Sequence, residues 1–462
     1  MIKRIGGFMA GRIDLTEGRI ADKLIRLALP IMGTSFINIG YNVVDMLWVG
    51  RAGSSAVAAV GTAGFYTWLA LAFIAISRVG GEVKVAQSMG DHNLDETRAY
   101  IKAAIEINIV LAILFGAVLI IFNRPLIELF RLGDEHVTQQ GSIYLIIVGL
   151  GMVFYFINPV FTAIFNGLGD SKTPFLINTT GLLVNIFLDP VLILGFGPFP
   201  KMGVAGAAIA TITAQACATL VFIYKIAKKE GIYFKIRYFK NIKLSYHKEL
   251  FILGLPVAIQ SGMFTGFSMC IGVIVAKWGP VAIAVQKVGN QIESIAYTTA
   301  DGMASSVSAF VGQNYGAGKV DRIEKGAKVG IMFAIFWGAL TMFLLVFGAD
   351  FIFKFFIDEP EARRIGANYL MILGFGEIFQ CLEIIVTGVL RGLGRTYITS
   401  AVSIIFTGAR IPMALILSSA LGLGLTGVWI SISLSMGIKG IVMLSVYLNY
   451  KRRGKLVESK SK

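Results

Sequence analysis

Apolar stretches long enough to cross a bilayer recur from residue 24 to residue 449, and no soluble domain fits between them. A helix needs about 20 apolar residues to span the hydrocarbon core. Candidate spans lie near 24–50, 56–83, 100–122, 142–167, 174–195 and 204–226. A second set lies near 249–275, 282–312, 326–348, 365–390, 397–418 and 424–449. Only 15% of the residues are charged and the mean hydropathy is +0.74, against roughly a quarter charged in soluble domains. The fold class expected is all-α integral membrane, with 12 transmembrane helices.

The formal net charge of +15 could suggest nucleic-acid binding, so the placement of the basic residues matters more than their sum. With both termini in the cytoplasm, 30 of the 42 Lys and Arg fall on inner segments and eight on outer loops. Cytoplasmic loops of membrane proteins carry such an excess. The charge is therefore topology, and no nucleic-acid partner is expected. The stretch 225–248, with Lys228, Lys229, Lys235, Arg237, Lys240 and Lys243, reads as a cytoplasmic anchor between two lobes, in contact with membrane lipid. The first apolar stretch is too long, and lacks the cleavage site, for a removable signal peptide.

The chain repeats itself at an offset of about 226 residues, the kind of feature to seek before any motif. LALPIMGTSFINIGYNVVDMLWVGRAG aligns with LGLPVAIQSGMFTGFSMCIGVIVAKWG, so that Pro30, expected to bend the first helix, matches Pro256. QSMGDHNLDETR from Gln87 matches QNYGAGKVDRIE from Gln313, and GVAGAAIA from Gly203 matches GLTGVWIS from Gly424. Each repeat has six spans, so two six-helix bundles are expected, related by a pseudo-two-fold axis along the membrane normal. The domains read as 1–226 (N-lobe), 227–248 (basic linker), 249–450 (C-lobe) and 451–462 (cytoplasmic tail).

An ionisable residue deep in a span costs on the order of 2.5–3.5 kcal/mol on insertion scales and is a functional candidate. Asn38, Tyr41, Asn42 and Asp45 share one helical face, expected to be polar and interior. Asp189 follows Asn185 by four residues, and Pro190 beside it removes the helical partner of the Ile186 carbonyl. Thr211 on the sixth span could complete an oxygen-rich site. Two neighbouring carboxylates in low dielectric make proton or sodium binding physically reasonable. Asn158, followed by Pro159, lies deeper. Asp45 has no counterpart in the second half, where Ile271 stands. Lys287, Glu293, Asp301, Glu377, Glu383 and Arg410 are expected to pair with one another. Cys217, Cys270 and Cys381 read as buried thiols, and no histidine cluster or GxxxxGK[ST] offers a resident cofactor, a metal site beyond Na+, or an ATP motor.

The opening TEGRIADKLIRLALPIMGTSFINIGYNVVDMLWVG, the NIFLDPVLILG segment and GVAGAAIAT resemble multidrug and toxic compound extrusion (MATE) transporters, over nearly the whole chain. The resemblance implies a cell-membrane antiporter, not an enzyme, that works as a monomer. It exports organic, often cationic drug-like molecules in exchange for H+ or Na+. The match is to the prokaryotic branch whose cation site lies in the N-lobe: Asp45, Asn185, Asp189 and Thr211 would carry the ion, with Tyr41 and Asn158 nearby. The seventh helix has Gln260 but no acid after Glu249, so a C-lobe ion site is not expected. The competing reading is a lipid or lipid-linked oligosaccharide flippase of the same superfamily, kept open by Lys287, Arg410 and Lys439.

Overall fold

In hydrocarbon a backbone N–H or C=O has no water to turn to, so an apolar run satisfies its own polar groups by coiling into a helix. The computed structural model describes residues 13–196, 199–228, 236, 238–239, 243–357 and 359–456. Of the expected linker, Lys229, Lys235, Arg237 and Lys240 lie outside the described residues, as do tail residues 457–462.

The first repeat runs α1 (Ile20–Ala52), α2 (Ser54–Gly90), α3 (Leu94–Ile121), the bent pair α4 (Glu135–Leu150 with Met152–Gly167), α5 (Lys172–Pro190, closing in a π turn, Val191–Gly195) and α6 (Gly203–Lys228). The second runs α7 (Leu244–Val275), α8 (Pro280–Gly316), α9 (Val320–Phe347), the bent pair α10 (Pro360–Gly374 with Glu377–Gly392), α11 (Thr396–Gly408, Arg410–Leu415 and a π turn, Ile416–Ala420) and α12 (Gly424–Arg452). These are the twelve spans in two six-helix halves.

The repeat is visible helix by helix. α2 and α8 are each 37 residues long, α4 and α10 bend by 54° and 49°, and α5 and α11 both relax into a π turn soon after Pro190 and Pro412. Among the described residues, nine helices and the two bent pairs are long and apolar enough to cross a membrane. α8 makes the twelfth despite its polar content.

Two compact units result, and they differ from the expected lobes. One holds Ile13, Asp14 and the described residues of Gly33–Ala258; the other holds Leu15–Met32 and those of Ile259–Lys462. The inner part of α1 thus packs with the second repeat, and the inner part of α7 with the first. Each helix changes unit two residues after its proline, Pro30 or Pro256. Sequence repeats mark units of descent, whereas compact units follow packing, and the two coincide except in these arms.

Each arm is tied down. In the second unit, Asn314 Nδ2 donates to the Leu15 carbonyl at 3.1 Å, and Arg322 donates to the carbonyls of Leu15, Glu17 and Gly18. In the first unit, the buried Glu106 accepts the Phe239 N–H at 2.5 Å and meets His247 at 2.9 Å, while Glu249 pairs with Lys84 and accepts from the Tyr100 hydroxyl at 2.7 Å.

Deeper along the α7 arm, Gly80 lets α2 approach so closely that a Cβ there would stand 2.5 Å from the Leu250 carbonyl oxygen. Overpacking of this kind costs typically about 1–3 kcal/mol, while alanine returns up to about 1 kcal/mol of helix propensity. Gly80→Ala should therefore lower the melting temperature in detergent. Gly262→Ala, where a Cβ meets open space, should hold or raise it; equal melting of the two variants would show that the arm is not packed this tightly.

Candidate functional site

The first unit gathers oxygen atoms where its sequence put acids into apolar helices. Asp189 and Asn185 are both fully buried on α5, one turn apart, and Asn185 Nδ2 donates to Asp189 Oδ1 at 2.9 Å. Pro190 ends the regular ladder just beyond them, and the chain turns through Val191–Gly195, where Leu192 accepts the Met202 N–H at 3.0 Å.

From α1 come Tyr41 and Asp45, both half-buried. The Tyr41 hydroxyl donates to the Thr211 carbonyl on α6 at 3.3 Å, so Thr211 enters the site through its backbone. Asp45 and Asp189 stand close enough to act on each other electrostatically, and both act on Tyr41.

Three oxygens there are buried with no hydrogen-bond partner among the described residues: Asp45 Oδ1, Asn185 Oδ1 and Asp189 Oδ2. Leaving a buried acceptor unmatched costs about 1–3 kcal/mol, more when it is charged. A proton on a carboxylate, or an oxygen-seeking cation such as Na+, removes that cost, because hard cations take carboxylate, amide and carbonyl oxygens.

Not every expected residue joins. Asn38 and Asn42 are exposed, with Asn42 Nδ2 donating to the Asn38 carbonyl at 3.0 Å, which corrects the expectation of a wholly interior face. At 100° per residue the four positions cover a wide arc, and packing closes only the edge through Tyr41 and Asp45. Asn158 is buried, but its amide donates to the side chain and carbonyl of Gln215, and its oxygen accepts from Thr219 at 2.9 Å. Its polar atoms are spoken for by α6. Conversely Tyr144, buried on α4, feels both carboxylates; a lone tyrosine near a helix centre gave no sequence signal.

The second unit carries a different set. Glu383 pairs with Lys439 at 3.0 Å and accepts from Ser403 at 2.9 Å, all three buried. Arg410 donates to Ser435 at 3.0 Å. The buried Glu293 keeps one carboxyl oxygen without a partner and Glu377 keeps two. The expected mutual pairing holds in part: Arg410 acts electrostatically on Glu293 and Glu383, but the ion-pair partner of Glu383 is Lys439, and Lys287 and Asp301 are exposed without an ion pair among the described residues. Of the three thiols, Cys381 is buried, Cys217 half-buried and Cys270 exposed, so the expectation of buried thiols fails at Cys270.

The MatE family model matches residues 30–191 and again residues 256–416. The chain belongs to the MatE family. Two matches in one chain coincide with the two structural repeats, and the first contains Asp45, Asn158, Asn185 and Asp189. This MatE protein is 27% identical over 440 residues to the probable multidrug resistance protein NorM of Thermotoga maritima, covering 94% of this chain and 93% of that one. It is 26% identical over 427 residues to the probable multidrug resistance protein YoeA of Bacillus subtilis, covering 91% of each. Its fold matches a crystal structure of MATE in the bent conformation, with a TM-score of 0.87 at 21% identity over 97% of this chain and 98% of that one. The family is one of membrane transporters, which places this chain in a membrane as a multi-pass protein.

Proposed function

We propose that this MatE protein is a multidrug efflux transporter of the cell membrane that exports organic, often cationic molecules in exchange for H+ or Na+ by alternating access. The observation that carries the reading is the set of buried, unmatched oxygens on Asp45, Asn185 and Asp189. Protonation or Na+ binding there stabilises one arrangement of α1, α5 and α6, and by linkage the ion and the drug then alter each other's affinity. The positive-inside distribution supports cytoplasmic termini, and the curated relatives named as multidrug resistance proteins support drug-like cargo. The unit is taken to be the monomer, with no cofactor beyond the coupling ion.

The test is efflux of a fluorescent organic cation from proteoliposomes under a proton gradient and a sodium gradient imposed separately. Efflux that follows one gradient, and is absent without it, is expected and names the ion. Indifference to both gradients would refute the antiporter and make lipid-linked cargo the next assay.

A further inference from the structure

α8 is polar where its repeat mate is not. Lys287, Asn290, Gln291, Tyr297 and Asp301 recur at helical spacing and are exposed, while Val285, Gly289, Ile292, Ala296 and Ala300 behind them are buried in the second unit. The equivalent positions on α2, at the repeat offset, are Gly61, Gly64, Phe65, Leu71 and Ala75. The polar face is therefore not a demand of the repeat itself; one repeat carries a polar face and the other an apolar one.

A charged side chain facing lipid at the centre of a span costs on the order of 2.5–3.5 kcal/mol even on the lenient scales. Asp301 sits near the middle of α8 and has no ion-pair partner among the described residues. Five polar side chains on one exposed stripe make a lipid-facing assignment dearer still, so the stripe faces water.

The chemistry at its deeper end is specific. Tyr297 lies one turn from Asp301, on the same face, and is 43% exposed. Its phenol oxygen lies within electrostatic range of both the buried Glu293 and Asp301. A carboxylate beside an open aromatic face attracts an alkylammonium group twice over, by charge and by the ring quadrupole. Lys287 is some fourteen residues away, about 21 Å along the helix, too far to neutralise Asp301.

We propose that this stripe lines the water-filled transport path of the second unit, and that Asp301 with the Tyr297 ring seats the positive charge of an organic-ammonium cargo. The assignment rests on the efflux reading and supplies a cargo contact separate from the coupling residues of the first unit.

Two measurements on the full-length protein test it. First, Asp301→Cys and Tyr297→Cys are made with Cys217, Cys270 and Cys381 replaced by serine, and probed in membranes with the anionic, membrane-impermeant reagent MTSES. Both should react, and in Tyr297→Cys, which keeps Asp301, tetraphenylphosphonium should slow the reaction. Second, ethidium and the uncharged probe N-phenyl-1-naphthylamine are titrated into detergent-purified protein. Asp301→Asn should weaken ethidium binding by about tenfold or more and leave the uncharged probe unchanged, with Asp301→Glu restoring most of the loss.

Wild-type ethidium affinity in Asp301→Asn overturns the proposal. So does labelling confined to lipid-soluble maleimides, which would put the stripe against lipid or a second copy of the chain. Failure of the efflux reading is separable: wild-type protein would then ignore both ion gradients, whatever the labelling shows.

Discussion

Asp45→Asn is expected to abolish gradient-driven efflux while leaving the protein folded, and Asp189→Asn to do the same. Asparagine keeps the size and one acceptor oxygen of the acid but can neither take a proton nor offer a full negative charge to Na+. In the wild-type protein the unmatched oxygens of Asp45 and Asp189 lie within electrostatic range of each other, and under the proposed coupling an ion bound there changes the affinity for drug. Coupling free energies of this kind run about 1–3 kcal/mol, or about 5–150-fold in affinity. The measurement is drug affinity with and without the ion, alongside efflux. The wild type should show a shift in that range, and each variant none, with efflux at the liposome leak rate. Folding should survive, because the variants remove a repulsion between buried acids. Wild-type efflux in both variants would sink the coupling site.

The second large effect lies in the other unit. Lys439→Met should cost about 3–5 kcal/mol of stability, the range seen when one member of a buried ion pair is removed. The reason is that Glu383, buried and 3.0 Å from Lys439 Nζ, would keep its charge with Ser403 as its remaining hydrogen-bond donor and Arg410 acting on it only at a distance. Replacing both members by apolar residues of similar volume is often neutral or stabilising, so Glu383→Met with Lys439→Met should recover most of the loss. Unfolding by sodium dodecyl sulfate in mixed micelles reads both variants. A single-variant cost below about 1 kcal/mol would mean that the pair contributes little to holding α10 against α12.

The span count was legible because lipid imposes both a length and an apolar composition on any helix that crosses it. α8 reads as a span over 282–312 even though Lys287, Glu293 and Asp301 interrupt its apolarity. Asp45, Asn185 and Asp189 stood out because polar and acidic residues are costly in such helices; in the structure Asn185 bonds Asp189, and Asp45 acts on Asp189 electrostatically. Helical spacing could not tell which edge of the arc from Asn38 to Asp45 would be covered, since that depends on the neighbours α1 meets. The Glu383–Lys439 pair was illegible for the same reason: its members are 56 residues apart, and residue type announces a charge without naming its partner. Nor does any local pattern reveal the exchange of arms, as an apolar stripe reads the same whichever repeat buries it.

That exchange has a consequence for how such a chain could arise and be divided. Leu15, just before α1, and Leu24 and Leu27 in its inner part are fully buried, yet they pack with the second repeat; Leu250 is fully buried in the reciprocal arm. A single six-helix half, made alone, would hold out an arm with its leucines bare and leave vacant the groove that the missing arm fills. Two identical halves could mend each other by trading arms, as domain-swapped dimers do. The present chain then reads as such a dimer fused end to end, whose halves have since drifted apart in charge.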